Sequence, residues 1–345
     1  MTHLKNARSN PRVVVVTGAS AGVGRATALR FGRAGAAIGL IARDREALTE
    51  VKRAIEQSGG EAHVEAADVA DADAVSVAAD NIAAALGPID VWINNAMVTV
   101  FAPLHEIAAA DFKRVTEVTY LGCVNGTQTA LHHMLPRDRG IIVQVGSALA
   151  FRGIPLQAAY CGAKHAIRGF TNALRAELIH DRRNIQLTIV ELPAVNTPQF
   201  DWARTGLPRQ PRPVPPVVQP EVIADAIYHA SRRPGREYWI GQSTLKLILG
   251  NLLMPAIFDR LMARMAYESQ MTRAPVLPSR RDNLQAPVHD LHRTRGSFGK
   301  EAGQTALVVS GPAARIGTAL AGAALAFCAG ALTHRYLASR GSTDR

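Results

Sequence analysis

The sequence predicts an α/β fold in which a doubly wound parallel sheet of about seven strands is followed by a C-terminal helical extension. Apolar runs of strand length alternate with amphipathic stretches of helix length, which is the pattern of a sheet built from β-α-β units. The chain has 345 residues and 48% of them are hydrophobic, enough for one large domain with additions. The predicted strands cover residues 12–17, 37–42, 62–67, 89–93, 140–146, 185–190 and 236–240.

A glycine-rich turn follows the first of these strands. Val13–Val16 lead into Thr17-Gly18-Ala19-Ser20-Ala21-Gly22-Val23-Gly24, and an apolar pattern with helical spacing follows. Gly18 permits the sharp turn, Gly22 lets backbone N–H groups approach a pyrophosphate, and Gly24 lets the helix pack close to the sheet. Because a helix N-terminus attracts anions, this turn predicts a dinucleotide-binding site.

A second group of residues can move a proton. Ser147 follows the predicted strand 140–146, and Tyr160 and Lys164 are four residues apart, on one face of a helix. Reduction of a carbonyl needs a hydride and a proton, and one group with a tuned pKa serves both directions. A free phenol has a pKa of about 10, and a nearby ammonium lowers it. We therefore interpret Tyr160 as the general acid and base, tuned by Lys164, with Ser147 orienting the substrate oxygen.

The two motifs together resemble the short-chain dehydrogenase/reductase (SDR) family. The Thr-Gly start, the G-x-x-x-G-x-G spacing and the Y-x-x-x-K motif stand in the family's order, and the resemblance runs from about Arg12 to about Gly241. It implies a Rossmann-type fold and the interconversion of a carbonyl and an alcohol with a nicotinamide cofactor. The position that usually holds a catalytic asparagine falls on Thr119, whose hydroxyl could hold a water that relays protons from Lys164.

The end of the second predicted strand bears on the choice of cofactor. In a dinucleotide fold this position meets the adenosine ribose, where an acidic residue accepts from a free 2′-OH and an arginine pairs with a 2′-phosphate. Ala42 stands where NAD-preferring members of the family carry the acidic residue, and Arg43 follows it. We therefore expect NADP(H), with Ser20 supporting the phosphate. A surface arginine beside Asp44 is the alternative.

The resemblance implies further cofactor contacts at the ends of the strands. They are Val23 in the first turn, Asp68 and Val69 at the adenine, Asn95 and Ala96 under the cofactor, and Pro193 and Thr197 at the nicotinamide. Two of these segments depart from the family's pattern, because Met97 and Ala194 replace glycines. From the residues alone, Asp68 is also a candidate helix N-cap and Thr197 a turn hydroxyl.

The segment after the sixth predicted strand suggests a cover for an apolar substrate. Phe200 and Trp202 offer aromatic walls, and the proline-rich loop 208–220 would stiffen a lid. The stretch Leu245–Phe258 is apolar but interrupted by charge and proline, which makes it a poor membrane span. A helix over the substrate entrance, a dimer surface and a membrane-dipping segment all fit it.

Composition divides the chain into an SDR catalytic domain (1–243), a helical or irregular extension (244–301) and a basic tail (302–345). The tail contains the uncharged run Ile316–Thr333. At about 1.5 Å per residue this run reaches roughly 27 Å, close to a bilayer core of about 30 Å. We expect it to be a transmembrane helix, and a docked helix is the alternative.

The charge and the cysteine content of the chain indicate which classes of partner and which cellular compartment to expect. The formal net charge is +11 and the aromatic content is 5%, with no nucleic-acid recognition motif, so an anionic membrane surface fits better than a nucleic acid. Three widely spaced cysteines indicate a reducing compartment, and the polar segment 1–10 has no apolar core of a secretory signal. His289 and His292 lack a third ligand nearby, so we interpret them as surface residues and expect no metal site. The catalytic domain is expected in the cytoplasm.

The prediction is therefore an NADP(H)-dependent short-chain oxidoreductase that acts on the CH–OH group, or the corresponding carbonyl, of an apolar small molecule. Thr119 and Ala194 motivate the alternative, a catalytically weakened NADP(H)-binding sensor or membrane-associated scaffold. A homo-oligomer is left open by the sequence.

Overall fold

A central sheet of eight strands runs through the computed structural model, which describes residues 12–318 and 320. In chain order the strands are β1 (Val13–Thr17), β2 (Ala37–Ala42), β3 (Glu61–Ala66), β4 (Ile89–Asn94), β5 (Gly140–Val145), β6 (Ile185–Glu191), β7 (Glu237–Ile240) and β8 (Val308–Ser310). Their order across the sheet is β8-β7-β6-β5-β4-β1-β2-β3, and β8 alone is antiparallel to its neighbour. The predicted parallel sheet is confirmed, with β8 as an addition.

Helices cover both faces of the sheet. They are α1 (Gly22–Arg33), α2 (Arg45–Gln57), α3 (Ala72–Leu86), α4 (Ala109–Thr116), α5 (Gly122–Met134), α6 (Ala158–His180), α7 (Gln199–Trp202), α8 (Pro220–Arg232), α9 (Gln242–Leu253) and α10 (Pro255–Leu261). α1, α2 and α8 pack on one face, and α3 to α6 pack on the other. The chain is thus doubly wound, and the strand order reverses between β1 and β4, where ligands bind in open α/β sheets.

The four valines of β1 show why this strand is central. Val14 and Val16 belong to the core on one face, and Val13 and Val15 to the core on the other. All four are at most 2% exposed. Side chains alternate across a strand, so a strand covered on both faces needs a continuous apolar run rather than an alternating one.

The C-terminal part of the chain returns to the sheet domain. Three small sheets join distant segments: Val100–Phe101 pairs with Arg204–Thr205, Arg209–Pro211 pairs with Met271–Pro275, and Val217–Val218 pairs with both Ala194–Val195 and Ala302–Gly303. Compositional division assigned residues 302 onward to the tail. In the structure this segment supplies a strand to the main sheet.

The structure describes the apolar stretch Leu245–Phe258 in full but the predicted transmembrane span only in part. Leu245–Phe258 divides between α9 and α10, which meet at Pro255. A helix covers 311–318, but most of the predicted span Ile316–Thr333 lies outside the described residues. Among residues 12–318 and 320, no helix has both the length and the apolar character needed to cross a bilayer.

Candidate active site

The glycine-rich turn lies at the carboxyl end of β1, beside the turn that follows β4. Gly18 has a φ of +66°, a left-handed conformation that favours glycine. A Cβ on Gly24 would lie 2.1 Å from the Gly18 carbonyl oxygen, so α1 approaches the turn closely only because Gly24 has no side chain. Asn95 joins the two turns, because its Nδ2 donates to the Thr17 carbonyl (2.9 Å). These contacts form the rim of a first cavity.

The first cavity has a volume of about 170 Å³ and contains most of the predicted cofactor residues. Those among its lining are Gly18, Ser20, Gly22, Val23, Arg43, Asp68, Val69, Asn95, Ala96 and Thr197. Gly24 is not among the lining residues of this cavity, and Pro193 lines a second cavity described below.

Arg43 lies at the expected end of this cavity, after β2, but part of its guanidinium is already bound. Its Nη1 donates to the carbonyls of Leu284 (3.3 Å) and Gln285 (3.0 Å), and its Nη2 donates to that of Asn283 (2.6 Å). These partners belong to the C-terminal extension. Sequence reasoning did not find them, because nothing local to Arg43 indicates a partner 240 residues away.

Asp68 pairs with Arg114 of α4 and also accepts from the Ala70 N–H (3.0 Å). The helix cap nearby is Asp71, whose Oδ1 accepts from the Ala74 N–H (3.0 Å) at the start of α3. The alternative of Asp68 as the N-cap is therefore wrong. Asp68 remains a lining residue of the first cavity.

Ser147, Tyr160 and Lys164 converge at the carboxyl end of β5 and line the second cavity. Tyr160 and Lys164 occupy one face of the first turns of α6, and Tyr160 and Ser147 line the same cavity. The Lys164 Nζ lies 5.6 Å from the centroid of the Tyr160 ring and donates to the Val145 carbonyl (2.6 Å). The three residues predicted from distant motifs therefore form one cluster.

Burial dominates the acid–base properties of this cluster. It lowers the pKa of Lys164 to about 8, against the opposing effects of Cys123 and Glu191. It raises the pKa of the Tyr160 phenol above its ordinary value, and the Ser147 side chain opposes this only in part. The lowering of the Tyr160 pKa by Lys164 stays a prediction.

Thr119 lies in a π-helical turn, Glu117–Leu121, between α4 and α5. Its hydroxyl donates to the Val98 carbonyl (2.9 Å) and accepts from the Val98 N–H (3.1 Å). A hydroxyl has one proton to donate, and Thr119 already donates it to a carbonyl in the turn after β4. The expected relay of protons from Lys164 through Thr119 is not supported by this geometry.

A buried carboxylate that sequence reasoning missed lies beneath the cluster. Glu191, at the end of β6, is fully buried, and its Oε2 accepts from the Ser147 N–H (2.7 Å). Arg168 Nη1 donates to Glu191 (3.2 Å) and to Glu237 of β7 (2.9 Å). Burial raises the pKa of Glu191 to about 7, the Arg168 guanidinium opposes this rise and the Glu237 carboxylate adds to it. The signal for it in the sequence was an acidic residue directly after the apolar pair Ile189-Val190 at the end of the strand.

The second cavity adjoins the first, since Asn95, Met97 and Thr197 line both. It has a volume of about 490 Å³, and most of its walls are apolar. These walls come from the segments that follow β4, β5 and β6, from α9 and from the helical turns after it: Phe101, Leu149, Ile154, Phe200, Val214, Leu247, Leu261, Met262 and Met265. Of the three interpretations of Leu245–Phe258, the helix over the substrate entrance matches this placement of α9.

Phe200 and Trp202, which were both predicted to form aromatic walls for the substrate, lie at different cavities in the structure. Phe200 lines the second cavity as predicted, but Trp202 is buried on the side of the first cavity. There its ring packs edge-on against His292, with centroids 5.2 Å apart. His292 is accordingly buried and not a surface residue, whereas the His289 side chain is 70% exposed. Among the described residues, no group of three or more His, Cys, Asp or Glu side chains is placed to hold a metal ion.

Comparison with known proteins agrees with this architecture. The family model described as short chain dehydrogenase matches residues 12–206. The chain is 31% identical over 300 residues to the uncharacterized oxidoreductase YxnA of Bacillus subtilis, covering 86% of this chain and 84% of that protein. It is 34% identical over 228 residues to a fatty acyl-CoA reductase of Acinetobacter baylyi, covering 65% and 75%.

A solved structure shows the same similarity in three dimensions. The alcohol dehydrogenase of the archaeon Thermococcus sibiricus, complexed with 5-hydroxy-NADP, superposes with a TM-score of 0.57 at 26% identity. The match covers 66% of this chain and 95% of that one. With a family model over more than half of its length and the fold and motifs described above, the chain belongs to the short-chain dehydrogenase/reductase family of oxidoreductases.

Proposed function

We propose that the protein interconverts a carbonyl and an alcohol on an apolar substrate, with NADP(H) as the cofactor. The observation that carries the proposal is the position of Ser147, Tyr160 and Lys164 in the apolar second cavity, next to the first cavity with its glycine-rich turn. A dinucleotide in the first cavity would extend toward Thr197, which lines both cavities. The reacting carbon would then meet the cofactor beside Tyr160.

The residues of the first cavity fit a phosphorylated dinucleotide. The α1 N-terminus offers backbone N–H groups, and β2 ends in Ala42-Arg43, without a carboxylate at position 42 to bind a free 2′-OH. After its three bonds to carbonyls, Arg43 still has the Nε–H and one Nη2–H to donate, and Ser20 lines the same cavity. The solved relative with 5-hydroxy-NADP supports the same choice of cofactor.

The chain's own residues would handle the proton. When bound, the cofactor supplies or accepts the hydride. Tyr160 would give its phenolic proton to the oxygen of the reduced carbon, and would take it back in the oxidation direction. Ser147, held by the Glu191 contact to its N–H, would hydrogen-bond the same oxygen, and the Lys164 ammonium would stabilise the phenolate.

The second cavity favours an apolar substrate. Its volume of about 490 Å³ lies within the roughly 300–1,000 Å³ usual for small-molecule sites, and Ser147 and Tyr160 are among its polar lining residues. A relative that acts on a fatty acyl group is in keeping with such walls. We further propose, from sequence alone, a cytoplasmic catalytic domain that is attached to a membrane through Ile316–Thr333.

The test is a screen of apolar ketones, aldehydes and alcohols with NADPH oxidation or NADP reduction as the readout. Tyr160→Phe should abolish turnover and leave NADPH affinity near that of the parent, because it removes the proton donor and little volume. Tyr267→Phe is the matched control, since Tyr267 is exposed and outside both cavities. Turnover of Tyr160→Phe within tenfold of the parent would reject the role of Tyr160. Tight NADPH binding without turnover of any substrate would favour the sensor or scaffold instead.

A further inference from the structure

The outer wall of the first cavity comes from the C-terminal extension. Asn283, Pro287, Val288 and His292 line the cavity together with Arg43. We call residues 283–293 the clasp. Val288 is 3% exposed, and the clasp residue Leu284 is fully buried, so this segment is packed as part of the domain.

We propose that the clasp closes over the adenosine end of the bound cofactor and that His292 donates a hydrogen bond to its 2′-phosphate. This inference rests on the proposed NADP(H) function. It assigns a specificity-determining residue to a region outside the matched family segment, which ends at residue 206.

Among the residues that the structure describes, the His292 side chain has the burial and the free hydrogen-bonding nitrogen expected of a residue that binds a ligand. Its side chain is 7% exposed and lines the cavity. Its Nε2 lies 3.1 Å from Asp44 Oδ2, but without the alignment of a hydrogen bond, and its Nδ1 has no partner in the described part of the chain. A buried polar group without a partner is costly, and a ligand in the cavity would supply the partner.

The position of His292 matches the 2′-phosphate rather than another part of the cofactor. His292 faces Asp44, which stands at the start of α2, one residue after Arg43. A dinucleotide fold holds the adenosine ribose at this end of the cavity. Asp44 Oδ2 also accepts from His289 (2.5 Å) and its Oδ1 accepts from the Ala47 N–H (3.0 Å), so both carboxylate oxygens have a donor other than His292. Arg43 and His292 would then donate to one phosphate from two sides.

Two hydrogen bonds hold the clasp against the glycine-rich turn and α1. The Gly22 N–H donates to the Arg293 carbonyl (3.0 Å), and Arg25 Nη1 donates to the His292 carbonyl (3.0 Å). With the clasp in this position the first cavity is about 170 Å³, below the roughly 300–1,000 Å³ usual for small-molecule sites. A cofactor that enters this cavity would meet His292, and the clasp would then be ordered around its adenosine end.

Affinity measurements on the full-length protein test the proposal. NADPH, NADH and 2′,5′-ADP are titrated against the parent, His292→Ala and His289→Ala. His292→Ala should bind NADPH and 2′,5′-ADP about tenfold or more weakly, the loss of one hydrogen bond to a charged group, and NADH less than threefold more weakly. His289→Ala is the matched control, because His289 contacts the same Asp44 oxygen but does not line the cavity. It should change the three affinities by less than threefold.

Two further measurements keep the test decisive. His292→Phe retains a ring against Trp202 and removes both nitrogens, so it should reproduce the loss even if the alanine variant folds poorly. Amide hydrogen exchange in 283–293 should slow when 2′,5′-ADP binds and stay unchanged with nicotinamide mononucleotide, which lacks the adenosine. Parental affinity for NADPH in His292→Phe, or an equal loss for NADPH and NADH, would overturn the proposal. Failure of the parent to bind either dinucleotide would instead reject the proposed function.

Discussion

Arg43 illustrates how much a single residue can be predicted from its position and what its neighbours add. Its place after β2 follows from the strand–turn–helix pattern, and Ala42 before it leaves the site without the carboxylate that favours NAD(H). The three carbonyls of the clasp could not be predicted, because a carbonyl acceptor carries no sequence signature. Arg43 therefore holds the clasp, and we propose that its remaining donors bind a phosphate.

Arg43→Ala should weaken NADPH binding by about 1.5–3 kcal/mol, the range for hydrogen bonds to a charged group. NADH binding should weaken by less than half of that, through the loosened clasp alone. Parallel titrations of the two cofactors measure both losses, and Arg45→Ala, an exposed neighbour on α2, serves as the control. Equal losses for NADPH and NADH would mean that Arg43 acts only on the clasp.

At the scale of elements, the catalytic cluster is held by a charged layer between β6, β7 and α6. Arg168 of α6 bridges Glu191 of β6 and Glu237 of β7, and Arg315, in the helix 311–318, pairs with Glu237. The strand and helix positions were predictable from apolar periodicity. The charged layer was not predictable, because it joins residues distant in sequence, and only the acidic residue at the end of β6 indicated it.

Glu191→Gln tests this layer through the pH dependence of stability. Because folding raises the pKa of Glu191 from 4.5 to about 7, its stabilising contribution is complete below pH 4.5 and is lost as the pH rises through about 7. Glutamine keeps an acceptor for the Ser147 N–H and does not titrate. Between pH 5.5 and pH 8.5 the free energy of unfolding of the variant should therefore rise by roughly 1–3 kcal/mol relative to that of the parent.

Denaturant unfolding at a series of pH values measures this gain. Glu46→Gln, at an exposed position on α2, is the control and should show no comparable divergence from the parent. A difference between Glu191→Gln and the parent that is constant with pH would show that Glu191 stays ionised in the folded protein.

For the whole molecule, the sequence predicted seven parallel strands, the two turns at their carboxyl ends and the cluster of Ser147, Tyr160 and Lys164. All of these depend on local patterns or short spacings. It did not predict β8 or the clasp, since a short strand and an irregular segment become ordered only through contacts with distant parts of the chain. The C-terminal region is consequently part of the catalytic unit, and the boundary at 243/244 is a change of composition more than a structural division.

Because the C-terminal region is packed into the sheet domain, a truncation that tests the membrane attachment proposed for Ile316–Thr333 must leave that region intact. A cut after Lys300 would remove β8 and Arg315, one of the two ion-pair partners of the buried Glu237, and would harm the fold whatever the tail does. A cut after residue 320 keeps both. The full-length protein should sediment with membranes and resist a carbonate wash, whereas the form ending at 320 should stay in the supernatant with full NADPH affinity.

The same fractionation distinguishes the tail from a second apolar surface. Leu252, Leu253, Met254 and Ile257, around the junction of α9 and α10, are about half to two-thirds exposed, and this surface lies beside the wall of the second cavity. If the form ending at 320 still resists the wash, attachment belongs to this surface, and Leu253→Lys with Ile257→Lys should release it. Full-length protein found in the soluble fraction would contradict attachment by either route, because both apolar segments are then present without holding the protein to a bilayer.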